Sequence, residues 1–122
     1  MVDDNPHVAS AFAEILSTQG HMVDIAAGGT EALPLIESGL YAVVLIDMRM
    51  PDLDGPTLYR QVVTRNSQLA KAFLFMTGDT FSEQTRRFLK DTGVVYLSKP
   101  CTFDEVESAV ARVLRRCANQ AQ

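Results

Sequence analysis

Apolar bursts of strand length recur along the chain at residues 22–26, 42–46, 72–76 and 94–97. Each is continuous rather than alternating, as expected of parallel strands covered on both faces. Between the bursts the apolar positions take up helical spacing. Val8, Ala11, Phe12, Ile15 and Leu16 form one stripe at i, i+3, i+4, i+7 and i+8, and Phe103, Val106, Val110, Val113 and Leu114 form another. Thr102 with Glu105 has the spacing of a capping box ahead of the last helix, and Thr80 with Glu83 has it ahead of the one before. Residues 30–38 also read as helical, although Pro34 lies inside them and removes a backbone donor, so this helix is expected to kink or start late. There is no internal repeat, low-complexity tract or linker. Strands alternating with helices predict an α/β fold with a parallel, doubly wound sheet and right-handed crossovers. In such sheets ligands sit beyond the C-terminal strand ends, where the winding reverses.

Length and composition narrow this picture without changing it. The 122 residues suit one domain, taken as 1–122, and 47% apolar with 21% charged residues belongs to a folded globular chain. No apolar run approaches the roughly 20 residues of a membrane span, and no basic-then-apolar signal opens the sequence, so the expected location is cytoplasmic, with no membrane partner. A net charge of −4 offers no general attraction to nucleic acid. The basic cluster Arg112, Arg115 and Arg116 reads as a solvated helix end complementing the helix dipole rather than a nucleic-acid patch. Cys101 and Cys117 lack metal-ligand spacing and are expected to be reduced thiols, with Cys101 packed in a turn; His7 and His21 read as surface residues.

The chemistry lies at the predicted strand ends. Asp3 and Asp4 follow Val2, Asp47 follows Ile46, Thr77-Gly78-Asp79 follow Met76, and Ser98-Lys99-Pro100 follow Leu97. Asp3, Asp4 and Asp47 would repel one another at one sheet edge, and an oxygen-preferring divalent cation resolves that repulsion. No cysteine or histidine is placed to favour zinc, so Mg²⁺ is the expected ion. With Lys99 as a second positive charge and Thr77 as a donor, such a site suits phosphoryl chemistry, and Asp47 could be the nucleophile. Asp52 and Asp54 could suggest a calcium loop, but Arg49 and Pro51 interrupt the oxygen spacing, and turn and cap roles fit better.

Four ordered motifs, "VDDNP" at 2–6, "LIDMRMPDLDG" at 45–55, "MTGD" at 76–79 and "YLSKP" at 96–100, resemble the receiver domain of two-component response regulators across essentially the whole chain. The resemblance implies a five-stranded flavodoxin-like sheet of order 2-1-3-4-5. It implies that Asp47 accepts a phosphoryl group from the phosphohistidine of a sensor histidine kinase. Asp3, Asp4, Asp47 and the Arg49 carbonyl would hold Mg²⁺, while Thr77 and Lys99 would bind phosphoryl oxygens. Tyr96 would be an aromatic switch coupled to Thr77, and the Lys99–Pro100 peptide would be cis. Such a domain assists its own phosphorylation and autodephosphorylation and is not an enzyme in the usual sense. Its partners beyond the kinase would be a downstream output domain or a histidine phosphotransfer protein, with a homodimer one expected phosphorylated state. The face that changes would be the fourth helix, fifth strand and fifth helix, near Arg86, Arg87, Tyr96 and residues 102–106.

Two departures qualify the match. Only Met1 and Val2 precede Asp3, so the first, central strand is shortened, and the numbered chain is expected to begin inside a longer sequence. Arg49 and Asp79 border the expected pocket; a pair across its mouth would gate hydrolysis, whereas two solvated side chains would not. Other classes fit less well. A haloacid-dehalogenase-type phosphatase wants an aspartate where Arg49 stands, and a flavin carrier wants a hydroxyl- and glycine-rich loop where "DDNPHVAS" stands. The nearer alternative is a receiver-like interaction module that works without phosphorylation.

Overall fold

The computed structural model describes residues 1–3, 5–39, 41–48, 53–78, 82–99 and 101–120, with side chains described as far as 116. In chain order the elements are α1 (Pro6–Thr18), α2 (Gly29–Glu37), β1 (Val44–Asp47), α3 (Gly55–Arg65), a 3-10 turn (Ser67–Ala72), β2 (Phe73–Thr77), α4 (Glu83–Thr92), β3 (Val95–Ser98) and α5 (Phe103–Gln120). The three strands pair in parallel in the order β1-β2-β3, with Val44 opposite Phe73 and Leu74 opposite Val95.

The expected five-stranded order continues past β1, but not as strands. Val2 makes a parallel bridge to Ile46 on one side and to Ala26 on the other. Backbone bonds from Val2 N–H to Leu45 O (2.7 Å), Asp47 N–H to Val2 O (3.1 Å), Asp3 N–H to Ala26 O (3.1 Å) and Ala26 N–H to Met1 O (2.9 Å) secure both bridges. The sheet therefore runs Ala26, Val2, β1, β2, β3, its first two places held at single positions. A strand over residues 22–26 is not formed: only Ala26 pairs, and Met22 is 99% exposed. With the first strand this short, residues 22–25 have too little ladder beside them to pair with.

β1 and β2 are buried along their whole length, as their continuous apolar runs require, whereas β3 is an edge strand with a mixed pattern. Alternate residues of the sheet serve opposite layers. Val44, Ile46, Phe73 and Phe75 pack with Ala32 and Ile36 of α2, Leu58, Tyr59 and Val62 of α3, and Phe88 and Leu89 of α4. Leu45, Leu74, Met76 and Val95 pack with Leu16 of α1 and Val106, Ala109, Val110 and Val113 of α5. Helices thus cover both faces, the doubly wound arrangement that directs every strand's C-terminal end to one rim.

The helices refine the sequence expectations. α1 buries Ala9 and Leu16 and leaves Ala11 exposed, so the stripe is rotated from the predicted one. Asn5 caps it, its side chain accepting from the N–H groups of His7 and Val8, with Pro6 in the first turn where its missing donor costs nothing. α2 does not start late; it begins at Gly29 and holds Pro34 inside. α4 is capped at Ser82 rather than at Thr80, which lies outside the described residues. The Thr102–Glu105 box is formed: Glu105 N–H donates to Thr102 Oγ1 and Thr102 N–H to Glu105 Oε1, both at 3.2 Å. No helix among the described residues is long and apolar enough to cross a membrane.

Candidate functional site

Each strand carries its polar residue at the rim. Asp47 closes β1, Thr77 closes β2, and Lys99 follows β3 directly. The parallel register puts Thr77 level with Ser98, and Lys99 N–H donates to Thr77 O at 2.7 Å, which carries the ladder one residue past Ser98. From there the Lys99 ammonium reaches Asp47, with Nζ 2.5 Å from Oδ2. The bridge between Val2 and Ile46 sets Asp3 beside Asp47. Asp3 is only 2% exposed, Asp47 8% and Thr77 2%. Two carboxylates, a hydroxyl and an ammonium from four separate segments thus meet at one rim, as the motif spacing predicts.

Local structure explains why each stays there. Asp3 Oδ1 accepts the Asn5 N–H at 2.9 Å, tying the carboxylate to the residue that caps α1. Beyond β1, Met48 N–H donates to Met76 O at 2.9 Å and Gly55 N–H to Met48 O at 3.0 Å, which holds the start of α3 against the end of β1. Asp54 caps that helix, accepting the Thr57 N–H at 2.8 Å, which is the cap role expected of it. Tyr96 lies on β3 opposite Phe75 and is 47% exposed, its ring on the outer edge of the sheet.

Several expected positions lie outside the described residues: Asp4, Arg49, Asp52, Asp79 and Pro100. Among the described residues no three His, Cys, Asp or Glu side chains cluster as a metal site. The donors that do meet, Asp3 and Asp47, are buried carboxylates, and all-oxygen donation suits a hard divalent cation rather than zinc. Cys101 is half-buried, and burial raises its thiol pKa, helped by the Glu105 carboxylate and opposed by Lys99. A thiol held protonated is a packing residue rather than a nucleophile. His7 and His21 belong to α1 and the segment after it and take no part at the rim.

At two glycines the neighbouring groups leave no room for a Cβ. A Cβ on Gly55 would lie 2.9 Å from Phe75 Cε1 and 3.0 Å from Asp47 O. A Cβ on Gly29, the first residue of α2, would lie 2.6 Å from Leu53 O. The available sequence signal is Gly between Asp54 and Pro56 at a helix start, and Gly28-Gly29 before an apolar helical run.

Comparison with known proteins agrees with this geometry. The family model described as "Response regulator receiver domain" matches residues 1–111. The response regulator MprA of Mycolicibacterium vanbaalenii is 35% identical over 118 residues, covering 95% of this chain and 49% of that protein. The sensor kinase CckA of Brucella abortus is 30% identical over 118 residues, covering 95% of this chain and 12% of that protein. The chain thus spans half or less of these curated relatives. Among solved structures, the chemotaxis protein CheY4 of Vibrio cholerae superimposes with a TM-score of 0.81 at 28% identity, covering 93% of this chain and 94% of that one.

Proposed function

This chain belongs to the response regulator receiver domain family, and we propose that, as a single phosphoacceptor domain over 1–122, it takes a phosphoryl group from a sensor histidine kinase onto Asp47. The observation that carries the reading is the Lys99–Asp47 contact across the rim, with buried Thr77 at the end of the strand between them. A carboxylate oxygen of Asp47 attacks phosphorus as the P–N bond of the phosphohistidine breaks; the departing imidazole nitrogen keeps the bonding pair and takes up a proton. Lys99 exchanges its Asp47 oxygen for a phosphoryl oxygen, and the Thr77 hydroxyl donates to another, so the added charge meets groups already fixed in place. Asp3, Asp4, Asp47 and the Arg49 carbonyl would hold Mg²⁺, which when bound supplies positive charge to the phosphoryl oxygens.

The response follows from the same strand ends. Thr77 drawn toward the phosphoryl group vacates space beside β3, and Tyr96 turns in from its exposed position. The surface altered is α4–β3–α5, near Arg86, Arg87, Tyr96 and residues 102–106, where an output domain, a histidine phosphotransfer protein or a second phosphorylated copy would dock. Arg49 and Asp79 are the residues to vary for phosphoryl lifetime. The setting is cytoplasmic, where sensor kinases present their phosphohistidine.

The test is incubation with Mg²⁺ and a small phosphodonor followed by intact-mass measurement. A phosphoryl increment in the wild type that is absent in Asp47→Asn supports the reading. No increment with several donors would favour a receiver-like module that binds partners without phosphorylation.

A further inference from the structure

Three backbone bonds join residues 24–26 to the shortened first strand: Met1 nitrogen to Asp24 O (2.7 Å), Ala26 N–H to Met1 O (2.9 Å) and Asp3 N–H to Ala26 O (3.1 Å). Farther from the rim, side chains take over. Tyr41 Oη donates to Asp24 Oδ2 at 2.5 Å. Tyr41 stands three residues before β1, so this contact reaches from the β1 side of the sheet to the outer segment, residues 22–26. Two recesses lie on opposite faces of the sheet here. One, of about 30 Å³, is bordered by Ala32 and Ile36 of α2; the other, of about 330 Å³, by Leu16 of α1 and Val110 of α5. Asp24, Tyr41 and Val43 border both, which puts the Tyr41–Asp24 contact in the plane of the sheet. We propose that Tyr41 and Asp24 form a strap that closes the sheet below Met1, and that Tyr41 is thereby a positioning residue for Asp3. Its bearing on the acceptor site rests on the proposed phosphoacceptor function.

The two flanks of a one-strand gap stand about 9.6 Å apart, twice the strand spacing. A tyrosine reaching towards an aspartate closes that span, where two short side chains would not. The bond to Asp24 also raises the Tyr41 phenol above its ordinary pKa, favouring the protonated donor. Among the described residues the outer segment is lightly anchored: Met22 is 99% exposed and Ile25 39%, while Val23 packs against the α1–α5 layer. The path from the strap to the site is short. Asp24 is two residues from Ala26, whose carbonyl accepts the Asp3 N–H, and Asp3 Oδ1 holds the Asn5 N–H. Peeling residues 22–26 away removes one of the two neighbours that hold Asp3 in the sheet and leaves the bonds from Val2 to Leu45 and Asp47.

The experiment is limited proteolysis with a broad-specificity serine protease, the cuts mapped by mass, on wild type, Tyr41→Phe, Asp24→Ala, the double variant and Phe88→Leu. When opening and closing are fast, cleavage tracks the population of the opened form. Losing one hydrogen bond shifts such an equilibrium about two- to tenfold. Tyr41→Phe and Asp24→Ala should each speed cleavage within residues 22–26 by that factor, and the double variant should add nothing further. Phe88→Leu loosens the α4 side of the core, which stays folded when the outer segment peels, so it should leave that cut at the wild-type rate. An unchanged cut in Tyr41→Phe overturns the strap, as do additive effects in the double variant or an equal acceleration in Phe88→Leu. Mg²⁺ binding is followed by chemical-shift titration, and Mg²⁺ at about 100 times its dissociation constant should slow the cut by up to about 100-fold in wild type and Tyr41→Phe alike. Mg²⁺ that binds without slowing the cut overturns the positioning role of Tyr41. A wild-type chain that binds no Mg²⁺ overturns that role and the metal site of the proposed function, while the cleavage rates without Mg²⁺ still decide the strap.

Discussion

Asp3→Asn should make the metal-free protein more stable while removing its response to Mg²⁺. Asp3 and Asp47 occupy matching places on neighbouring segments, and strand neighbours lie about 4.8 Å apart. Two unit charges at that separation repel by about 3.5 kcal/mol at an effective dielectric near 20. The Lys99 ammonium on Asp47 offsets part of this, which leaves a net penalty of about 1–2 kcal/mol. Asparagine keeps an oxygen for the Asn5 N–H, so the cap beneath the site survives the change. At this chain length each kcal/mol moves the melting temperature by roughly 3–5 °C, giving an expected rise of about 3–10 °C in chelator. In wild type, saturating Mg²⁺ at about 100 times its dissociation constant should add about 2.7 kcal/mol, and in Asp3→Asn most of that gain should vanish. Thermal melting by circular dichroism, with and without Mg²⁺ at fixed ionic strength, measures both. An unchanged or lower melting temperature for Asp3→Asn in chelator would refute the repulsion argument; an intact Mg²⁺ shift would remove Asp3 from the metal site.

Two further predictions concern the surroundings of the site. The Cys101 thiol is pushed up by burial, so its alkylation, followed by peptide mapping, should rise at higher pH than that of a free thiol, about 8.5. Because the folded value lies above the unfolded one, any stability tied to Cys101 is intact below the unfolded value and is lost as pH rises through the folded one; alkylation that tracks a free thiol would contradict this. Phe88→Ala removes a buried ring set edge-on to Tyr59 at 5.4 Å and Phe75 at 5.3 Å, and should cost about 3–5 kcal/mol in urea unfolding. A loss below about 1 kcal/mol would mean that the α4 side of the core repacks readily.

What was legible in the sequence depended on whether a residue's chemistry marked its own place. Asp47, Thr77 and Lys99 stood out because a polar group after a run of apolar residues has few reasons to be there, and the structure brings all three to one rim. The strand limits came out slightly early for β1, β2 and β3, because the hydrogen-bond ladder continues through Asp47, Thr77 and Ser98 after hydrophobicity has stopped. Residues 22–26 look like a strand by composition, yet a strand also needs a neighbour, and a one-residue neighbour cannot supply a ladder. Ala11 was misplaced because a helical stripe read from apolar positions alone leaves the helix's rotation uncertain by one residue. Gly29 and Gly55 were least visible, since what matters about them is a missing atom and the backbone that fills its space.

The single-position bridges of Val2 carry a consequence for how the molecule opens. Across β1-β2-β3 the backbone is stitched at successive residues, whereas among the described residues the backbone bonds between the side of the sheet holding Ala26 and β1 run through Met1, Val2 and Asp3. Such a seam is where a cooperative unit separates before the rest unfolds. Amides of Asp3 and Ala26 should therefore exchange with solvent through a sub-global opening, while those within β2 wait for global unfolding. Each such excursion takes Asp3 away from Asp47, so the fraction of time the two carboxylates stand together is set by a local equilibrium, and a ligand holding both would slow exchange along that seam first.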